Sequence, residues 1–198
     1  MFNRIVSEKI IINLFVLLLF LGCAGSSVQT IQSEIKSFPE SIVYVMPIGL
    51  PEEIGVAQDW RKTGTTITTK EGEEIHLGIY KYSFGEGDIN ILRNSLINSL
   101  IATQSFKDVI YLRNELVDNT ISDPVFYVHL KINKTGMASG NVLKCLISGD
   151  LVLKNEKESI LFKDDIVIEA KSLSTISAAK NKAIRQFVNE VIESFNKF

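Results

Sequence analysis

Side chains that could catalyse a reaction or bind a metal are few in this sequence, and they are widely separated. The two histidines, His76 and His129, have no further ligand at the close spacing that metal sites use. Cys145 alternates onto the apolar face of a predicted strand, which indicates a buried thiol and not an exposed nucleophile. The sequence therefore predicts no enzyme, with no catalytic residues, no metal and no cofactor. A site formed by both histidines and an acid only in the folded chain stays an alternative.

Two short motifs have both a chemical and a plainer interpretation. Gly85 and Gly87 precede a predicted helix, as in a phosphate-binding loop, but Asn90 stands where a third glycine belongs and the lysine is missing. A turn followed by a helix cap is therefore expected. Asp164 and Asp165 are adjacent carboxylates in an apolar strand. Because successive strand residues point to opposite faces, they are not expected to share a cation, and a bulge or local turn is expected there.

The strongest pattern lies at the N-terminus. Arg4 and Lys9 precede residues 10–21, which are apolar except for Asn13. As a helix this run would span roughly 18 Å, less than the roughly 30 Å of a bilayer's hydrocarbon core. A basic start followed by a short apolar run is typical of an export signal, here residues 1–22.

Cys23 follows directly, and residues 19–23, Leu-Phe-Leu-Gly-Cys, resemble a bacterial lipobox, although Phe20 and Leu21 depart from its usual leucine and small residue. In a lipobox the thiol carries the diacylglycerol as a thioether, and a small residue precedes the cut. The resemblance implies signal cleavage between Gly22 and Cys23 and acyl chains such as palmitate on Cys23. The alternatives are an ordinary signal peptide cut near residues 24–26 and a short membrane anchor.

Charge and the residue after the cysteine bear on location and partners. Removing residues 1–22 takes two of the 21 basic and one of the 23 acidic residues, which leaves 19 against 22. This balance and the lack of a basic run exclude a typical nucleic-acid-binding surface. Contact with the membrane is therefore assigned to the acyl chains. By the same resemblance, Ala24 in place of aspartate favours the outer membrane of the cell envelope over the inner membrane.

The mature chain is expected to consist of a flexible tether over residues 23–39 and one periplasmic-type domain over residues 40–198. Apolar runs and alternation predict strands at 42–46, 65–69, 75–84, 109–112, 126–132, 142–154 and 160–169.

Two amphipathic helices complete the predicted domain. One is capped by Asp88 and ends near Ser105, the other is capped by Ser177, and Gly149 is expected to mark a bulge. One-sided strands and striped helices predict an α+β two-layer sandwich. Its sheet of about five to six strands is expected to be mostly antiparallel and covered on one face by two helices, with a hairpin excursion.

The long excursion from residue 47 to residue 84 is the segment expected to bind a partner, because long connections in compact domains are usually functional or disordered. It carries Trp60, the only tryptophan, beside Arg61 and Lys62. Tryptophan and arginine are frequent interface anchors, so these three residues are the candidate partner contacts. The alternative is that Trp60 folds back and closes one end of the core.

The complete layout resembles the small bacterial envelope lipoproteins that assist assembly or transport. The likeness rests on the lipobox at Cys23, the strand ending at Met46-Pro47, the helix 89–105, the stretch 106–109 leading into a strand, and the final meander and helix. These families comprise the lipopolysaccharide-assembly lipoprotein, the curli-secretion group, activators of penicillin-binding proteins and auxiliary lipoproteins of ABC transporters. The likeness is architectural and covers residues 40–198.

The resemblance implies a non-catalytic accessory module that binds a protein of a larger envelope machine. The alternative function is a carrier of lipid or of another small apolar ligand, held in a pocket between sheet and helices. A large internal cavity lined by leucine, isoleucine and phenylalanine would favour the carrier. A close-packed core with an exposed apolar patch would favour the module.

Overall fold

A computed structural model describes residues 35–50, 66–80, 84–113 and 124–197. These residues form the following elements in chain order: β1 (Phe38–Val45), β2 (Thr66–Thr68), β3 (Glu74–His76), a 3-10 turn (Leu77–Ile79), α1 (Glu86–Ala102), β4 (Phe106–Tyr111), β5 (Val125–Ala138), β6 (Leu143–Asn155), β7 (Ile160–Ser172), α2 (Ile176–Glu193) and a second 3-10 turn (Ser194–Asn196).

Five strands form one sheet in the order β4-β1-β5-β6-β7, and β2 pairs with β3 in a separate hairpin. The meander β5-β6-β7 is antiparallel and supplies the longest ladders, as the sequence predicts. The short strand β1 runs parallel to both of its neighbours, β4 and β5. These parallel pairs were not predicted, since the apolar pattern of a strand does not encode the direction of its neighbour.

Helices α1 and α2 cover one face of the five-stranded sheet, which confirms the predicted two-layer α+β fold. Alternate residues of β6, among them Cys145, Ile147 and Leu151, point into the layer between sheet and helices and are fully buried. Phe187 of α2 and Leu96 of α1 meet them from the helical side, also without exposure. Burial of this apolar layer is the main favourable term for folding.

Both helices begin earlier than the sequence predicts. Helix α1 starts after Gly85, and the carboxylate of Asp88, three residues inside, accepts a hydrogen bond from the Gly85 backbone N–H at 3.0 Å. Asp88 therefore supplies the side-chain half of a capping box, three residues after the N-cap Gly85, instead of serving as the N-cap itself. At α2 the hydroxyl of Thr175, not that of Ser177, accepts the Ala178 backbone N–H at 3.1 Å. Threonine and serine are both favoured caps, and the extended backbone at Thr175 decides between them.

Gly149 lies opposite a register shift of β5 between Ile132 and Lys134, so the bulge expected at this glycine lies on the neighbouring strand. A Cβ at Gly149 would come within 2.7 Å of the Lys131 carbonyl oxygen and 3.1 Å of the Phe187 ring. Glycine therefore allows the bulged backbone and the aromatic ring to approach β6 together.

Three other expectations are changed by the structure. The ladder of β7 continues in register through Asp164 and Asp165, which pair with Leu151 and Asp150, so the bulge or local turn expected there is wrong. The second hairpin strand is short, because the chain turns into a 3-10 helix after His76. Strand β1 already begins at Phe38, two residues before the expected start of the domain.

Gly22, Cys23, Trp60, Arg61 and Lys62 lie outside the described residues.

Candidate binding groove at the β7 edge

The β2-β3 hairpin lies against β7, the edge strand of the main sheet. The described residues of the hairpin share no backbone ladder with β7, and the two sheets stay separate. In an antiparallel edge strand, alternate main-chain N–H and C=O groups point away from the sheet and are open to another chain. Among the described residues, therefore, no main chain pairs with the outer side of β7, and the hairpin contacts this strand through side chains.

The first contact lies on the helical side of the sheet. At the hairpin tip, the Lys70 ammonium donates to the Asp164 carboxylate and lies 3.5 Å from a carboxylate oxygen of Glu190 in α2. Lys197 approaches the same Asp164 oxygen at 3.6 Å. Burial alone would lower the pKa of Lys70, but its bonds and attraction to Asp164 and Glu190 raise that pKa. Lys70 therefore stays charged and links the hairpin to both β7 and α2.

The second contact lies on the opposite side of the sheet. Tyr80 is fully buried, and its hydroxyl donates a hydrogen bond to Glu169 of β7. Its ring packs on β5 where a Cβ at Gly136 would come within 2.7 Å of the Tyr80 Cβ. Burial and the bond to Glu169 raise the pKa of Tyr80, so the phenol stays protonated. Tyr80 therefore fixes the chain just after the hairpin to the sheet.

Glu169 is the acceptor of this second contact and is also paired with two lysines. The ammonium groups of Lys144 and Lys171 lie 3.3 Å and 3.4 Å from its carboxylate. Burial would raise the pKa of Glu169, but the Tyr80 hydroxyl and the two lysines hold it below its usual value. Glu169 thus remains a carboxylate at neutral pH, and Lys70 and Tyr80 together hold the hairpin across the β7 edge on both faces.

A groove of about 470 Å³ opens between the hairpin tip, β7 and α2. It is lined by Thr69, Lys70, Glu71, Glu73, Ile166, Val167, Ile168, Glu169, Arg185, Gln186, Asn189 and Glu190. Four glutamates face two basic side chains, so the lining is net acidic. The β7 residues at its floor are partly or fully buried, while Glu71, Glu73 and Gln186 are exposed. An open strand edge between two raised walls has the shape for an extended polypeptide, which would add a strand to the sheet.

Sequence reasoning missed this groove, although it singled out its neighbour Asp164. A charged residue that points toward the core side of an otherwise apolar strand is a known device of edge strands. In the sequence this signal has two parts. One is the alternating pattern of β7, and the other is Lys70 at the predicted hairpin turn.

A second groove, of about 350 Å³, lies on the sheet face away from the helices. It is lined by Pro47, Gly49, His129, Leu130, Lys131, Asp150, Val152 and Lys163. Both grooves open to solvent and carry charged side chains. Neither has the aliphatic and aromatic lining expected of a carrier pocket.

The two histidines lie on separate elements. His76 is exposed on β3 and His129 is half-buried on β5. Within the described residues, no group of three histidine, cysteine, aspartate or glutamate side chains is placed to hold a metal ion.

Cys145 lies on the core face of β6, as its alternation predicts, and is a free and fully buried thiol. Burial raises its pKa to about 12, so the reactive thiolate is nearly absent at neutral pH.

We expect the folded protein to react with a maleimide only slowly and to react at once in denaturant. Mass spectrometry over a time course measures this reaction. Rapid stoichiometric labelling under native conditions would mean that β6 is shifted by one residue.

No family model and no curated protein matches the sequence. Among solved structures, protein XCC0632 from Xanthomonas campestris, assigned to the DUF330 family model, superposes with a TM-score of 0.51 at 11% identity, over 85% of this chain and 90% of that one. The PelC dodecamer from Paraburkholderia phytofirmans gives a TM-score of 0.42 at 10% identity, over 83% and 97%. A minor lipoprotein from Acinetobacter baumannii gives 0.33 at 8% identity, over 81% and 93%.

The first of these similarities shows a shared fold, and at such identities the likeness ends with the fold. The part of the chain that the structure describes holds no helix long and apolar enough to span a bilayer.

Proposed function

We propose that this protein is a lipid-anchored accessory protein of the bacterial envelope, and that it is attached to the outer membrane in preference to the inner membrane. In this proposal it binds an extended segment of a partner protein in the β7-edge groove. The observation that carries the proposal is that residues 166–169 of the edge strand β7 line the groove between the hairpin and α2, with no described strand paired on their outer side. An added strand would satisfy the outward N–H and C=O groups of β7. The anchor on Cys23 rests on the sequence.

The chemistry of the groove specifies the kind of segment. Strand pairing supplies main-chain hydrogen bonds, and the side chains around the edge select the sequence. The acidic excess of the lining favours a segment that carries basic residues. Ile168, which is only partly buried, adds apolar surface on the helical side, so alternation of apolar and basic residues is the pattern that fits both.

The charges that fix the hairpin also favour this function. Because Lys70 and Tyr80 hold the hairpin on both faces of β7, the walls of the groove are in place before the partner arrives. A site that is already ordered loses less conformational entropy on binding. Trp60, Arg61 and Lys62 precede the hairpin in the chain and remain candidate partner contacts.

Site-specific photocrosslinking in cells tests the proposal. The photoreactive residue p-benzoylphenylalanine replaces Gln186 on the groove wall or Trp60, and in the control it replaces Lys107, which is exposed on the opposite edge strand β4. We expect Gln186 to give one defined adduct at a yield about tenfold above the control, as for a central contact. Peptide mapping of the adduct should identify an extended basic segment of one partner.

A second set of variants tests the charge of the groove. The groove variant combines Glu71→Lys with Glu73→Lys and so reverses the charge of two exposed acids of the lining. The control variant combines Glu40→Lys with Asp108→Lys and makes the same change of charge in β1 and β4, toward the opposite edge of the sheet. The groove variant should lose the Gln186 adduct while its melting temperature stays unchanged, and the control variant should keep it. Equal adducts at Gln186 and Lys107, or an adduct that survives the charge reversal, would contradict the proposed groove.

A further inference from the structure

The described chain enters the domain at one end of the sheet. At this end the Lys36 backbone N–H donates to the Asn196 side chain at 2.7 Å, and Ile35 packs against the core. The rings of Phe38 and Phe126 lie 5.0 Å apart, and those of Phe106 and Phe195 lie 5.1 Å apart. The point at which the N-terminal segment leaves the domain is therefore fixed by packing. We call this end of the sheet the entry end.

The β6-β7 turn lies at the entry end as well. Phe126, which contacts Phe38, pairs with Asn155, the last residue of β6, and Ile160 opens β7 opposite Lys154. Ile160 is 62% exposed and Leu161 is 37% exposed. Two adjacent aliphatic side chains thus project into solvent at the end from which the chain leads back to Cys23.

This turn is held rigidly by hydrogen bonds. The side-chain oxygen of Asn155 accepts the backbone N–H groups of Lys157 and Ser159 at 3.0 Å and 2.9 Å. The Asn155 N–H in turn donates to the Ser159 carbonyl at 3.0 Å. A turn fixed in this way keeps Ile160 and Leu161 exposed without a loss of backbone freedom on binding.

The length of chain before the domain limits its distance from a membrane. Residues 24–34 separate Cys23 from Ile35. Even fully extended, these eleven residues span at most about 40 Å, and a flexible chain of that length averages about 20 Å. Leu173, which is 84% exposed, lies at the other end of β7, a further twelve residues or about 40 Å away. An anchor on Cys23 therefore favours approach of the entry end, with its β6-β7 turn, to the lipid over approach of Leu173.

We propose that Ile160 and Leu161 insert into the bilayer surface, so that the acylated domain stands on the membrane through its β6-β7 turn. The proposal rests on the lipid anchor in the proposed function. We assign a lipid surface as the binding partner because the exposed patch is small and consists of two aliphatic side chains. The tether from Cys23 also joins the domain at this same end. Lys157 and Lys163 flank the pair, with Glu156 and Glu158 in the same turn, so insertion of apolar side chains and not net charge carries the contact.

The orientation also places the groove. In this arrangement the Lys70–Asp164 contact lies toward the membrane side of β7 and Tyr80–Glu169 lies farther out. The β7 edge then runs away from the bilayer, and an extended partner segment would run along the same direction.

Fluorescence quenching in vesicles tests this orientation with the acylated full-length protein. Ile160→Cys and Leu173→Cys are made in a Cys145→Ala background and labelled with the environment-sensitive dye NBD. The proteins are reconstituted in vesicles of phosphatidylethanolamine and phosphatidylglycerol, with or without brominated lipid. We expect brominated lipid to quench the label at position 160 about twofold and to leave the label at position 173 unchanged. Leu161→Cys should behave like Ile160→Cys.

Flotation of the same samples separates the two proposals. Protein that floats with the vesicles but shows equal quenching at both positions, or stronger quenching at position 173, overturns the membrane-facing turn and leaves the anchor intact. If no acyl group is found on the protein, either in cells or in the flotation fraction, the proposed lipid anchor itself is overturned. Quenching at position 160 beyond that at position 173 supports the inference.

Discussion

Cys23→Ser is expected to abolish incorporation of a palmitate analogue and to leave the protein uncleaved or released from the membrane fraction. The reason is chemical, because in a lipobox the diacylglycerol is attached through the sulfur of the cysteine, and a hydroxyl cannot form that thioether. Anchoring by several acyl chains is firm, whereas the mature chain has no basic run to replace it. Metabolic labelling followed by gel fluorescence, with fractionation of the envelope, measures both effects.

Cys145→Ala is the matched control, because Cys145 is the only other cysteine and is fully buried. Its label should equal that of the unmodified protein. If Cys23→Ser keeps its full label, the acyl group is attached elsewhere and the lipobox interpretation is wrong.

Phe187→Ala is expected to lower the free energy of unfolding by about 3–5 kcal/mol. Phe187 has no exposed surface, and its ring lies in the layer between α2 and β6 where Gly149 lacks a side chain. The substitution removes the ring's burial and leaves a cavity that the surrounding backbone cannot fill by collapse. Urea denaturation, with midpoint and slope determined together, measures the loss.

Two further variants define the cause of this loss. Gln186→Ala, at an exposed position next to Phe187 on the same helix, should change the stability by less than about 0.5 kcal/mol. Gly149→Ala should cost about 1–3 kcal/mol alone, because its methyl group meets the Phe187 ring and the Lys131 carbonyl.

In the Phe187→Ala background, Gly149→Ala should cost less, since one of its three close contacts is gone. Additive losses, or a loss of under about 1 kcal/mol for Phe187→Ala, would contradict the packing described for this layer.

The sequence alone was sufficient for features that depend on local pattern. The alternation of β6 places Cys145, Ile147 and Leu151 on one face, and the structure confirms this register. The stripe of α2 predicts its buried side, because a helix repeats every 3.6 residues. The export signal and the lipobox likewise depend on adjacent residues, and they remain predictions from sequence.

Helix starts were predicted less well. Asp88, Thr175 and Ser177 are all acceptable capping residues, and the choice among them depends on where the preceding loop becomes extended. That position is set by the packing of the helix on the sheet and not by the capping residue itself.

The tertiary structure alone decided which elements meet. Strand β1 lies between β4 and β5 in parallel, although nothing in residues 42–46 distinguishes a parallel from an antiparallel neighbour. Lys70 and Asp164 are 94 residues apart, and Tyr80 and Glu169 are 89 apart, so no local periodicity relates them. Their contacts form because the hairpin packs across the β7 edge, where a buried phenol requires an acceptor and a half-buried carboxylate requires a cation. The candidate groove exists through these long-range pairs, whereas the layers that support it follow from the pattern of the sequence.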